Sequence, residues 1–258
     1  MEILVCIKQV PDDSVEILFD AASQKPAING VTPVVNAFDT YALEMAVRLK
    51  EAAGGEVTVV SIGDETVKTS LKNCLAVGGD YAFLVKDDSY NEKDTSYTAK
   101  ALKKAKEDIE KTTGKTFDLI FCGKESTDLA SAQVGIMLAG EMNVPVITNI
   151  INIEEKDGTI QVKQETEEGY HVVETASPCV VTVTKPNYDP RYPTIKNKMA
   201  SRKKPIGELE TVEAAENLVE TLKVYEPAKR QAGVKIKEET VEESVAKAIA
   251  MMAEAKVF

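Results

Sequence analysis

Four times in the first 145 residues a short apolar run gives way to a glycine or polar break, then to apolar residues spaced three and four apart. The runs are residues 3–7, 56–62, 81–85 and 118–122, and a fifth opens at Val146. Between them Ala42, Met45, Ala46, Leu49 and Ala53 share one helical face, as do Val67, Leu71, Cys74 and Leu75. A long helix is expected from Thr95 to Lys111, and another carries Ala132, Gly135, Ile136, Leu138, Ala139 and Met142. Strand and helix in alternation admit few topologies: parallel strands joined by right-handed crossovers. The spacing therefore predicts an α/β domain around a parallel sheet.

Local punctuation sharpens this. Asp39 or Thr40 is expected to cap the first helix, and Gly54-Gly55 and Gly78-Gly79 to end the first two. Residues 14–35 read as an excursion, with short strands at 15–19 and 31–35 and a turn at Asn29-Gly30. After residue 150 the pattern changes. Asp157-Gly158 between two strand-like segments signals a hairpin, and 170–175 and 179–184 are expected as antiparallel extensions of the sheet. From Lys185 onward Pro186, Pro190, Pro193 and Pro205 interrupt the chain, beside a basic run of Lys196, Lys198, Arg202, Lys203 and Lys204. A Glu-rich amphipathic stretch at 208–223 follows, then a helix at 241–255 with Val245, Ala248, Ile249 and Met252 on one face. The expected division is 1–185 as an α/β nucleotide-binding domain and 186–258 as a loop and C-terminal arm. Such an arm needs something to pack against, either its own sheet or a partner subunit.

Composition narrows function by exclusion. A net charge of -11 argues against nucleic acid as the main partner, since phosphate neutralisation needs a basic footprint. Cys6, Cys74, Cys122 and Cys179 lie far apart with no metal-binding spacing, and the single histidine, His171, leaves little material for a metal site or a Ser-His-Asp triad. No apolar run reaches membrane-spanning length and no targeting segment is recognisable, so a cytoplasmic location is expected.

Three strand-to-helix loops remain as candidate chemistry: 36–39, 63–65 and 123–131. Neither a G-x-G-x-x-G after the first strand nor a P-loop is present. If the first strand neighbours the fourth, the loops after them meet at the topological switch point, where helix N-termini offer free N–H groups to an anion. Ser126, Thr127, Ser131 and Gln133 crowd one of these loops, which favours a ligand over simple capping. Asp128 would repel phosphate, so it is expected to cap the helix or meet a ribose hydroxyl. No nucleophile–base pair is evident, which points to a nucleotide carrier whose reactivity belongs to a cofactor.

At this point the residues reach a family. Cys6-Ile7-Lys8-Gln9-Val10-Pro11, then Asn36-Ala37-Phe38-Asp39 before the helix at 46–51, and Gly123-Lys124-Glu125-Ser126-Thr127-Asp128 with Gln133-Val134-Gly135 resemble the beta subunit of electron transfer flavoprotein. So do Pro190-Arg191-Tyr192-Pro193-Thr194-Ile195, the basic run after it and Ala232-Gly233-Val234-Lys235, in the right order over nearly the whole chain. The resemblance implies an adenine nucleotide alpha hydrolase-like or flavodoxin-like fold. It also implies an FAD-containing alpha subunit as partner, and either AMP or the AMP half of a second FAD in the cleft. Matched by position, the nucleotide contacts would be Cys6, Asn36, Ala37, Phe38, Asp39, Ile62, Gly123, Lys124, Ser126, Thr127, Asp128, Ser131, Ala132, Gln133 and Val134. Asp94, Thr95 and Thr98 resemble the residues that cover the flavin end in the electron-bifurcating branch, although any helix start can carry an N-cap aspartate. Asn187, Tyr188, Pro190, Arg191 and Tyr192 would recognise an acyl-CoA dehydrogenase or reductase. The bifurcating version would take electrons from NADH and pass them to ferredoxin or flavodoxin and to the alpha-subunit FAD. Two departures stand out: Leu129-Ala130-Ser131 where many members are more acidic or hydroxylated, and Asn187-Tyr188 where AMP-type members place a leucine. A universal-stress-type nucleotide sensor is the rival from another class, and would want a Gly-rich phosphate loop after the fourth strand.

Overall fold

Side chains alternate faces along a strand, so a run that is apolar throughout must be covered on both sides. The first strand, β1 (Glu2–Cys6), shows this directly. Ile3 and Val5 enter one core while Leu4 and Cys6 enter a second. The computed structural model describes residues 1–20, 22–156, 158–211, 217–228 and 232–257.

After β1, two small antiparallel pairs form the excursion: β2 (Gln9–Pro11) with β5 (Pro33–Val35), and β3 (Phe19–Asp20) with β4 (Lys25–Pro26). The alternating units follow: α1 (Ala37–Ala53), β6 (Glu56–Gly63), α2 (Val67–Ala76), β7 (Tyr81–Lys86), α3 (Thr95–Thr113), β8 (Leu119–Gly123) and α4 (Val134–Met142). Then come β9 (Val146–Lys156), β10 (Thr159–Thr166), β11 (Gly169–Thr175), β12 (Cys179–Val183), α5 (Ile195–Lys203), β13 (Gly207–Leu209) and α6 (Val241–Glu254).

The nine-stranded sheet runs β11-β10-β9-β12-β8-β1-β6-β7-β13. It is parallel except at β9–β10 and β10–β11. From β1 the chain winds outward through β6 and β7, then crosses back to β8 on the other side. Met45 of α1 and Leu71 of α2 pack with Ile3 and Val5, whereas Ile109 of α3 and Leu138 of α4 pack with Leu4 and Ile120. This is a doubly wound α/β fold with an antiparallel extension, and its switch point lies between β1 and β8.

Several expectations are corrected. Residues 179–184 are not an antiparallel extension: β12 inserts between β8 and β9 and is parallel to both. Every residue of β12 is buried, as a strand covered on two faces demands. The fifth strand and the first arm of the hairpin are one strand, β9, with a register shift where Asn149 takes a left-handed φ of 55°. Residues 15–18 are not a strand: Val15, Ile17 and Leu18 are exposed, and regular pairing begins only at Phe19, although Leu18 O accepts from Ala27 N. Asp39 does not cap α1; Asn36 occupies that position and Asp39 lies inside the helix. Of the amphipathic stretch at 208–223, Gly207–Leu209 is instead the edge strand β13, residues 217–223 have no regular structure, and 212–216 lie outside the described residues. Asp157 of the hairpin turn lies outside them as well.

The last helix, α6, opens on a capping box between Thr240 and Glu243. None of its residues is buried, and Val245, Ile249 and Met252 remain exposed. Among the described residues, then, this face of the arm is not spent on the chain's own sheet.

Leu4 is fully buried in the central strand, against α3 and α4. Leu4→Ala should lower unfolding free energy by about 2–5 kcal/mol, read as a shift in urea midpoint at unchanged slope.

Candidate functional site

Two loops leave the sheet in opposite directions at the switch point, one after β1 and one after β8. A single carboxylate joins them. Asp39, 5% exposed, accepts from Lys8 N at 2.7 Å and from Gly123 N at 3.0 Å. Burial pushes its carboxyl up to about 7 against the pull of these N–H groups and of Lys8. The approach is so close that a Cβ on Gly123 would lie 2.3 Å from Asp39 Oδ1, so only glycine fits there. Asn36, 1% exposed, makes the second joint: its Nδ2 donates to Glu125 O at 2.8 Å and its Oδ1 accepts from Thr127 N at 3.0 Å. A third joint is the ion pair of Lys8 with Asp128, 2.6 Å apart.

The loop beyond Gly123 has an unusual backbone. Ser126 O accepts from Ala130 N in a tight turn, and both Ala130 and Ala132 adopt left-handed φ angles, 49° and 52°. Alanine rarely visits that region without compensation, and such backbone concentrates at ligand sites. Gln133 follows Ala132 in the right-handed region and opens α4 at Val134. Consecutive left- and right-handed residues turn successive N–H groups to one side, forming a concave nest for an anion. Gly135 lets the first turn of α4 sit down on Thr182 and Cys122, where a Cβ would meet Thr182 at 2.6 Å.

The rim is completed by α3. Asp94 caps it by accepting from Tyr97 N, Thr98 donates to Asp94 O, and Thr95 Oγ1 donates to Gln133 Oε1 at 2.9 Å. Three helix N-termini, those of α1, α3 and α4, thus converge on the carboxyl edge beside β1 and β8. Their first-turn N–H groups and aligned dipoles favour negative charge. At the ends of β6 and β7, Gln9, Ile62, Gly63, Asp64, Thr66 and Tyr90 line a small adjoining cleft.

A model of the electron transfer flavoprotein domain matches residues 27–216 of this chain. The chain belongs to the electron transfer flavoprotein family, as a beta-type subunit. It is 38% identical over 196 residues to an electron transfer flavoprotein subunit beta of Thermoanaerobacterium thermosaccharolyticum, covering 76% of this chain and 73% of that one. It is 35% identical over 250 residues to the subunit beta of Megasphaera elsdenii, covering 93% and 92%. It is also 35% identical over 207 residues, 80% of this chain and 77% of the other, to the caffeyl-CoA reductase-Etf complex subunit CarD of Acetobacterium woodii.

In this beta-type subunit the residues singled out for the nucleotide lie together at one end of the sheet, but they do different work. Asn36 and Asp39 are spent on joining loops, and Asp128 is held by Lys8. The Cys6 side chain turns down into the core beside Cys122, and that contact together with burial holds its thiol well above the ordinary range. Lys124 N extends the ladder to Val183 O, and Ser131, Ala132, Gln133 and Val134 form the approach to α4. Lys8 and Gln9 were not singled out by spacing. Gln9 bridges Thr66 and Ser70, so both act across distances a local pattern does not encode.

The segment matched to partner recognition lies elsewhere, on the outer side of α1. Arg191 donates to Glu44 at 2.8 Å and to Glu51 at 2.6 Å, and the guanidinium of Arg48 stands 3.8 Å over the Tyr188 ring. Asn187 is exposed, as is Tyr192, at 91%. The basic run is the helix α5, in which Lys196, Lys198, Arg202 and Lys203 are exposed. Lys204, just beyond it, donates to Gly79 O and Asp80 O. No described helix is long and apolar enough to cross a membrane.

A carboxyl raised by folding contributes stability that is present below its ordinary value near 3.8 and lost as pH rises through about 7. The unfolding free energy of the wild type minus that of Asp39→Asn should therefore fall between pH 4 and pH 8. Parallel curves in chemical denaturation across that range would contradict the assignment.

Proposed function

We propose that the cleft holds FAD by its AMP half and that the chain is the beta subunit of a heterodimer with an FAD-containing alpha subunit. The observation that carries this reading is the pair of left-handed alanines leading into α4, which turns main-chain N–H groups toward a phosphate-sized anion beside two further helix N-termini. The donor set fits: of the carboxylates that face one another across the switch point, Asp128 is neutralised by Lys8 and Asp39 is buried between N–H groups. The flavin, when bound, supplies one- and two-electron chemistry; the protein's part is to bind, orient and exclude water. Gly123 to Val134 would hold the phosphates, Ile62 and the backbone at Cys6 would flank the adenosine, and Thr95 with Thr98 would border the flavin end.

The relative named for a caffeyl-CoA reductase-Etf complex supports a role in delivering electrons to an acyl-CoA reductase or dehydrogenase. In the bifurcating form of this reading, NADH is the donor and ferredoxin or flavodoxin a second acceptor. The exposed face around Tyr192, and the basic side chains of α5, would meet the flavoenzyme partner. A second reading, AMP alone in the same cleft, is favoured by the engagement of Asp94 and Thr98 in bonds internal to the chain.

The visible spectrum and nucleotide content of the purified complex decide between them. Two flavins per heterodimer are expected; one flavin with one AMP establishes the second reading, and a flavin-free homodimer sinks both. Lys8→Ala removes the cation that neutralises Asp128, and should weaken AMP binding about tenfold by calorimetry, with Asp128→Asn restoring much of it.

A further inference from the structure

Residues 217–219 of the C-terminal arm are tied to the domain by contacts that apolar burial does not account for. Leu218 and Val219 are 71% and 68% exposed, so their side chains add little to holding the arm. Their backbone N–H groups instead both donate to Asp94 Oδ2, while Asp94 Oδ1 caps α3 at Tyr97 N. Asn217 closes the joint from the arm's side: its Oδ1 accepts from Asp94 N at 3.1 Å and its Nδ2 donates to Glu92 O at 2.8 Å. A second thread passes through the same helical turn, where the Tyr97 hydroxyl bonds both Asp87 and Thr211. Burial pushes the Asp94 carboxyl up, but the N–H groups of Tyr97, Leu218 and Val219 bring it below its usual range, as expected for a carboxylate that accepts several charge-assisted bonds.

One residue along, the same turn touches the cleft. Thr95 Oγ1 donates to Gln133, the residue that opens α4 at the end of the strained loop. The first turn of α3 is therefore bonded to the arm on one side and to the anion nest on the other. We propose that Asp94 is a positioning residue that couples occupancy of the cleft to the root of the C-terminal arm. The coupling rests on the nucleotide reading above; the tie itself does not.

The roles of Asp94 separate by substitution. Asparagine remains a good N-cap, so Asp94→Asn keeps α3 capped, but it offers one oxygen where the carboxylate offers two. Hydrogen exchange at the Leu218 and Val219 amides should be about tenfold faster in Asp94→Asn than in the wild-type full chain, both without nucleotide. Saturating AMP should slow these amides in the wild type and leave them unchanged in Asp94→Asn. Asn217→Ala loosens the arm from its own side and, by reciprocity, should weaken AMP binding about two- to fivefold. Equal exchange in wild type and Asp94→Asn overturns the tie. Equal protection by AMP in both, or unaltered AMP affinity in Asn217→Ala, overturns the coupling. If the wild type fails to bind AMP, the nucleotide reading falls and the coupling with it, and the nucleotide-free comparison still judges the tie.

Discussion

A buried carboxylate between two strand ends is the contact on which the site depends. In a doubly wound sheet the chain turns one way after β1 and the other way after β8, so the loops at the switch point diverge and leave a crevice. Asp39 spans that crevice from inside α1, taking one N–H from each side. Its neighbour Asn36 reaches across with an amide, donating to Glu125 O and accepting from Thr127 N, both on the loop after β8. The two residues sit three apart at the start of one helix, so α1 is the rigid piece to which both loops are fastened. The absence of a Cβ at Gly123 is the steric condition for this, since the carboxylate occupies the space a side chain would need.

The same arrangement explains how a chain with a net charge of -11 can offer a place to an anion. Its attraction is local and largely main-chain: helix N-termini from α1, α3 and α4 and the N–H groups around Ala132 and Gln133. Surface charges are screened over about 10 Å at ordinary ionic strength, so the acidic exterior matters less at the cleft than the dipoles that end there. Asp128, which spacing alone would set against a phosphate, is neutralised in place by Lys8. Asp39 is removed from water altogether, and its raised carboxyl reflects that burial outweighs the N–H groups it accepts from.

What was legible in the sequence was whatever is encoded by near neighbours. The strand–helix alternation, the Asp94 cap and the glycine stops after α1 and α2 all depend on residues within a turn of one another, and all stand. Asp39 as an N-cap was the natural local reading, but its partner Gly123 is 84 residues away and no spacing announces it. The direction of β12 escapes a local reading for a related reason: short connections favour antiparallel neighbours, whereas a strand buried at all five residues needs cover on both faces, which its place between β8 and β9 supplies. The edge strand β13 has little apolar character and exists because β7 offers it an open ladder. Lys8 carried no signal at all beyond its place in a family motif, since its role depends on Asp128 arriving from the far side of the switch.

α1 carries a second set of long-range fastenings farther along its length. Glu44, almost fully buried, takes hydrogen bonds from Arg48 on its own helix and from Arg191 on the segment before α5. A carboxylate in that setting is costly unless paired, and the two guanidiniums, with Glu51 completing the Arg191 fork, keep it below its usual range despite the burial that would raise it. The segment at 187–192 is thereby fixed to the same 17-residue helix whose first turn holds the crevice together. A helix transmits position along its axis with little compliance, because every turn is hydrogen-bonded to the next. The segment that carries the exposed ring of Tyr192 is therefore held in a frame set by Asn36 and Asp39. Buried polar contacts at both ends of one helix supply that frame.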